Sequence, residues 1–220
     1  MSRYVIGIDV SHQRGCPCAV LDRTGGDVLE TVWLQSGNEE RDVIALAARY
    51  PNATFAIDAP RNALPAQRAW YWRSQSGWRP RKPHESGRGR HCEVVVKAYG
   101  IANPQWTPLA GEYAGQEWMT VGYSLFGALK EMATTLEVFP SASYHMLDKD
   151  CSVRVDIPLA GFLRGPKDML DAVVAAVTGA EFLAGRGQEV GGGDGLGTIV
   201  LPRKLPPDSD GRAAVLTWPG

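Results

Sequence analysis

The chain predicts an α/β fold, a mixed five-stranded sheet flanked by helices and interrupted by one long insertion. Three observations carry this prediction. Strand-like apolar runs come first at hairpin spacing, a helical period separates them from a further buried strand, and a stretch rich in proline and arginine breaks the pattern before it resumes. With 220 residues, 44% of them apolar, the chain has ample material for one core. It reads as a single domain over residues 1–205, with an insertion at 61–111 and a loose tail at 206–220.

Residues 4–10 are rich in Val and Ile and run into a turn after Asp9, which marks a buried strand. A second apolar run covers 16–22, Thr24-Gly25-Gly26-Asp27 is a turn cluster, and 28–34 alternates. Together these make an antiparallel meander. Val43, Ile44, Leu46, Ala47 and Tyr50 then share a helical face, with Asn38 as cap and Pro51-Asn52 as stop. Thr54 to Asp58 is a short buried strand before Ala59-Pro60. The insertion shows weak periodicity, with room for one or two short helices. Residues 112–132 return to helical spacing, 135–139 form a strand closed by Pro140, and Pro166 opens an alanine-rich helix over 166–184. Gly191 to Gly197 is a flexible loop and 198–201 a last short strand.

Composition excludes several classes. No run of 18 apolar residues exists, and the start MSRYVIGID lacks a cationic and a hydrophobic leader region, so a membrane protein or a secreted precursor is not expected. Four cysteines are too sparse for a disulfide scaffold and read as reduced thiols, consistent with a cytoplasmic protein. Zinc on Cys16 and Cys18 with Cys92, Cys151 or His91 is disfavoured, because one residue between paired cysteines is too few.

Five acids fall in apolar settings: Asp9, Asp58 and Glu137 at strand ends, and Asp168 and Asp171 at i and i+3 on the last helix. Carboxylates avoid such places unless something compensates them. A strand-ending aspartate is often a turn former, and Asp168 has a simple role beside the helix dipole. Asp171, between Leu170 and Ala172, is harder to explain that way. If these strands are neighbours, the carboxylates converge and repel until a divalent cation neutralises them. Oxygen-only ligands suit Mg or Mn, and two such ions about 4 Å apart support phosphodiester hydrolysis. Asp9, Asp58, Glu137 and Asp171 are the expected metal ligands, with Asp168 as a further catalytic acid.

The order of elements and the acids resemble the ribonuclease H-like fold of nucleases and integrases. More narrowly, Gly7-Ile8-Asp9, Ala56-Ile57-Asp58-Ala59-Pro60, Gly89-Arg90-His91-Cys92-Glu93, Glu137-Val138-Phe139-Pro140 and Asp168-x-x-Asp171-Ala172 resemble a predicted nuclease family catalogued as domain of unknown function 429. The last helix is also similar to the final catalytic helix of Holliday-junction resolvases. That similarity implies Asp9 as bridging ligand and Asp58 where resolvases usually carry glutamate, one methylene longer. Glu137 has no resolvase counterpart, so its role follows from the narrower family alone.

Net charge, -1 overall, divides unevenly. Residues 61–97 hold nine basic and two acidic side chains, a balance of +7, leaving 14 basic and 22 acidic elsewhere, a balance of -8. Arginines alternate with Trp70, Tyr71, Trp72 and Trp78, the mixture that contacts phosphates and stacks bases. Arg61, Arg79, Arg81, Lys82, Arg88, Arg90, Trp72 and Trp78 are thus the expected nucleic-acid contacts, on a lid over the acids. Equally, the arginines could pair with acids and the tryptophans pack the insertion or a homodimer surface. His84 and His91 are possible proton donors, more often incidental in such loops. The leading expectation is a metal-dependent nuclease acting on DNA or RNA. An ATP-binding phosphotransferase of the actin and sugar-kinase type also starts from a Gly-Ile-Asp strand, but Val10 to Gly15 lacks its phosphate loop; a non-catalytic binding module is the third reading.

Overall fold

The computed structural model describes residues 2–147, 153–157, 162, 165–207 and 211–220. Strands β1 (Tyr4–Asp9), β2 (Cys16–Asp22) and β3 (Asp27–Leu34) form the antiparallel meander, and helix α1 (Glu39–Arg49) leads to β4 (Thr54–Asp58), parallel to β1. Inside the insertion, β5 (Trp70–Arg73) and β6 (Gly77–Pro80) make a hairpin before α2 (His91–Ala98). Helix α3 (Glu117–Leu129) follows, then β7 (Thr134–Glu137), parallel to β4, and α4 (Pro140–Leu147). Helix α5 (Pro166–Leu183) and the hairpin β8 (Gln188–Gly191) and β9 (Thr198–Leu201) complete the order. The sheet is mixed and five-stranded, as expected, and its strands run in the order β3-β2-β1-β4-β7.

Strand alternation divides the core. Ile6, Ile8, Phe55 and Ile57 pack against Val43 and Leu46 of α1 and Leu125 and Leu129 of α3, while Val5, Ala56 and Leu136 pack against Ala172, Ala175 and Ala176 of α5. Between these two sets, Gly7 touches α5 directly. A Cβ there would lie 1.9 Å from the Ala172 carbonyl oxygen and 2.4 Å from the Ala176 nitrogen. The alanine run of α5 therefore serves close approach to the sheet, and it fixes where Asp168 and Asp171 stand.

Several elements depart from the sequence reading. Ile44, expected on the buried face of α1, is 40% exposed. Asn38 occupies the cap position without a side-chain cap bond. Helix α4 and strand β8 had no expected counterpart, because such short segments carry too few residues to show a period of their own. The C-terminal stretch is not loose: residues Ala213–Leu216 form a 3-10 turn, Val215 is fully buried, and Trp218 packs on Trp78 with ring centroids 5.0 Å apart. Val215 joins Cys92, Val95, Val190 and Ile199 in a third cluster that roots the insertion. Cys16, Cys18 and Cys92 are free and buried, the first two in one core cluster and Cys92 in another; Cys151 lies outside the described residues.

Candidate functional site

Parallel register brings the first two acids together. Asp9 of β1 stands opposite Asp58 of β4 at the strands' C-terminal ends, and alternation turns both toward α5, on the same side as Val5, Gly7 and Ala56. Neither carboxylate makes a hydrogen bond or ion pair among the described residues. Burial, with the charges of Asp171 and Asp168, pushes the Asp9 carboxyl up to about 7. Burial and the neighbouring Asp9 push Asp58 well above the usual carboxylate range. Lys167 works against both shifts, and Arg14 against that of Asp9.

The acids on α5 are differently placed. Asp171 Oδ1 accepts from the Tyr144 hydroxyl at 2.9 Å, and its Oδ2 from Lys167 Nζ at 2.6 Å. Arg14 Nη1 lies 3.2 Å from Asp168 Oδ2, but its angle makes no hydrogen bond, so this buried oxygen lacks a donor among the described residues. A cleft of about 550 Å³ opens over Asp9, Asp58 and Asp168, and Arg14, Gln105 and Trp118 are among the residues that line it.

Glu137 lines the same cleft as Asp9 and Asp58, as the reading of three convergent strand ends expects, but its carboxylate is already paired with Arg90. It stands opposite Ile57, one register position before Asp58. Arg90 holds both of its oxygens, Nη1 at 2.8 Å from Oε2 and Nη2 on Oε1, and the backbone N–H of Arg61 donates to Oε2 at 3.0 Å. Burial pushes the Glu137 carboxyl up and the Arg90 charge pulls it back. The same guanidinium donates to Glu93 Oε1 and to Thr107 Oγ1. Arg90 is 1% exposed, so it is an internal strut between α2 and β7 rather than a surface phosphate contact.

Most other members of the expected lid are also occupied. Arg61 donates to Thr135 Oγ1 and the Thr135 carbonyl and lies 4.4 Å from the Phe126 ring centre. Arg79 is paired with Glu85, Arg81 donates to the carbonyls of Lys82 and Glu85, and Arg88 lies 3.3 Å from Glu112. Trp72 and Trp78 meet edge to face, and Trp78 continues onto His91 and Trp218. His91 is buried, its Nδ1 accepting from Gly193 N–H and its Nε2 turned to the Val215 carbonyl, so both ring nitrogens are engaged by backbone groups. Lys82 alone of the named cations is exposed with no side-chain partner among the described residues.

The donor chemistry fits a hard divalent cation: aspartate oxygens only, two of the carboxylates unpaired, and one buried oxygen of Asp168 without a donor. The described residues hold no group of three His, Cys, Asp or Glu side chains already at ligand spacing. Lys167 lies against Asp171 and Arg14 against Asp168. Sequence reasoning missed Arg14, Lys167, Tyr144, Gln105 and Trp118 at the site. Only Lys167, four residues before Asp171 on a helix, carried a usable signal. Comparison with protein-family models, curated proteins and solved structures gave no match. Among the described residues no helix is long and apolar enough to cross a membrane.

Proposed function

We propose that the chain hydrolyses phosphodiester bonds of nucleic acid with the help of magnesium or manganese, on Asp9, Asp58, Asp168 and Asp171. The observation that carries this reading is the unpaired Asp9–Asp58 pair at adjacent strand ends, both with raised carboxyl pKa values, facing a cleft. Unpaired buried carboxylates cost stability, and a fold retains them where they bind or react. The strand order β3-β2-β1-β4-β7, with acids on β1, β4 and the final long helix, supports a ribonuclease H-like assignment.

Asp9 and Asp58 would hold the cation, with Asp168 and Asp171 completing the oxygen set. A bound ion would supply charge neutralisation and Lewis-acid activation of the phosphodiester. Burial and the neighbouring acids favour the protonated form of Asp9 in the cation-free protein, and it must be deprotonated to act as a ligand. Tyr144 orients Asp171 through its hydroxyl. Gln105 and Trp118, joined by an indole N–H to amide oxygen bond of 3.2 Å, form a wall suited to a base or sugar.

The test is cleavage of a panel of DNA, RNA and branched substrates with magnesium or manganese, by wild type and by Asp9→Asn. Wild type is expected to cleave at least one substrate, and the variant to lose about 100-fold or more in rate while keeping its circular dichroism spectrum. Cleavage unaffected by the substitution, or absent from wild type across the panel, overturns the reading.

A further inference from the structure

We infer that Lys167 and Arg14 are displaceable counterions of the acidic site, covering Asp171 and Asp168 in the cation-free protein and turning to a substrate phosphate once a cation takes those carboxylates. The inference deepens the proposed phosphodiesterase reading and rests on it. Three features of the structure carry it.

The two cations are built to move. Lys167 Nζ sits 2.6 Å from Asp171 Oδ2 yet its side chain is 82% exposed, and Arg14 Nη1 sits 3.2 Å from Asp168 with its side chain 65% exposed. The cationic partner in each pair is open to water, which competes for it, and is screened by salt, so it can leave its carboxylate without disturbing the core. Lys167 lies in the first turn of α5 and Arg14 in the turn between β1 and β2, each on a long flexible stem anchored beside the acids.

They also compensate the same charge a divalent ion would. Both pull the Asp9 carboxyl down against its neighbours, and Lys167 does so for Asp58. A cation entering among Asp9, Asp58 and the α5 acids repels both side chains while removing their partners. Finally, two arginines of the insertion are committed to partners away from a phosphate. Arg90 is locked between Glu93 and Glu137, and Arg61 is bound to Thr135. Arg14 is the exposed basic side chain that lines the cleft beside Asp9, and a freed guanidinium matches phosphate oxygens in a bidentate way.

Two binding measurements on the full chain test this, with wild type, Arg14→Ala, Lys167→Ala and Lys167→Arg. Calorimetric titration with manganese alone is expected to show about three- to fivefold tighter binding in the two alanine variants, the factor matching loss of a competing exposed ion pair. Binding of a fluorescent single-stranded oligonucleotide in calcium, a hard cation with the same oxygen ligands, is expected to weaken at least threefold in those variants, with the salt slope falling by about 0.7. Lys167→Arg is expected to bind the oligonucleotide like wild type. If wild type binds manganese but the alanine variants match it in both measurements, the counterion inference fails and the metal site stands. If wild type binds no manganese, the inference and the metal-dependent reading fall together.

Discussion

Asp9 shows what an unpaired carboxylate costs its fold. Its carboxyl rises from the ordinary 3.8 to about 7, chiefly because it is buried and secondarily because Asp171 and Asp168 stand near. A folded-state pKa above the unfolded value means the native protein holds an extra proton between about pH 4 and 7. The contribution to stability is therefore full below pH 4 and is lost as pH rises through 7. Each pH unit in that window is worth at most about 1.4 kcal/mol. Asn carries no charge to desolvate. Asp9→Asn is thus expected to melt above wild type in metal-free buffer, by several degrees at pH 8, with the gap closing toward pH 4. Scanning calorimetry from pH 4 to 8 checks this; a gap independent of pH would mean that Asp9 is not strained. Added magnesium should narrow the gap at pH 8, because the ion relieves in wild type the repulsion that Asn removes.

Helix α5 sets the geometry of the site through small residues. Its Ala172 and Ala176 lie against Gly7, and Gly179 lies against Val5 and Ala56. No side chain separates helix from sheet at Gly7, so the acids of α5 come within electrostatic reach of Asp9 and Asp58. Gly7→Ala places a methyl group 1.9 Å from a backbone oxygen of the helix, which no rotamer change relieves. The helix must shift outward. We expect a loss of about 2–3 kcal/mol in urea unfolding, in the range of overpacked cores, together with a drop of tenfold or more in manganese affinity as Asp168 and Asp171 recede. Wild-type affinity in a folded Gly7→Ala protein would show that the α5 acids are not ligands. The contrast with Ile44 is instructive, since a partly exposed position on α1 has room to change without moving any acid.

At the scale of the molecule, the basic insertion is a structural unit before it is a binding surface. Arg90 joins α2 to the sheet edge through Glu93, Thr107 and Glu137, and the C-terminal Val215 and Trp218 seal the same cluster. Two buried carboxylates share this one guanidinium. Arg90→Leu leaves both uncompensated, and we expect it to lower unfolding free energy by about 3–5 kcal/mol at pH 7. Acidification toward pH 5 should recover part of the loss as Glu137 takes a proton, which urea titrations at the two pH values would measure. A loss below about 1 kcal/mol at pH 7 would mean that the strut is dispensable. The segregation of charge, +7 in residues 61–97 against -8 elsewhere, is bridged by Arg90 with Glu137 and Arg88 with Glu112. Arg79 with Glu85 pairs within the insertion itself.

The mixed sheet and the acids at the ends of β1 and β4, paired in register as Asp9 and Asp58, were legible in the chain alone. Period-2 and period-3.6 hydrophobicity and the short connections between runs constrain pairing strongly, because a slip of one residue would expose the core. The same periodicity could not say that Glu137 ends its strand one position out of phase with Asp58, since phase between strands is set by register and not by either strand's sequence. Nor could it assign Arg90 to Glu93 and Glu137, or Lys167 and Arg14 to the acids of α5. Long charged side chains choose partners over several ångströms of reach, and only the packed backbone decides which carboxylate lies within it. Local sequence determined where acids meet the sheet; tertiary packing decided which of them remain free to bind.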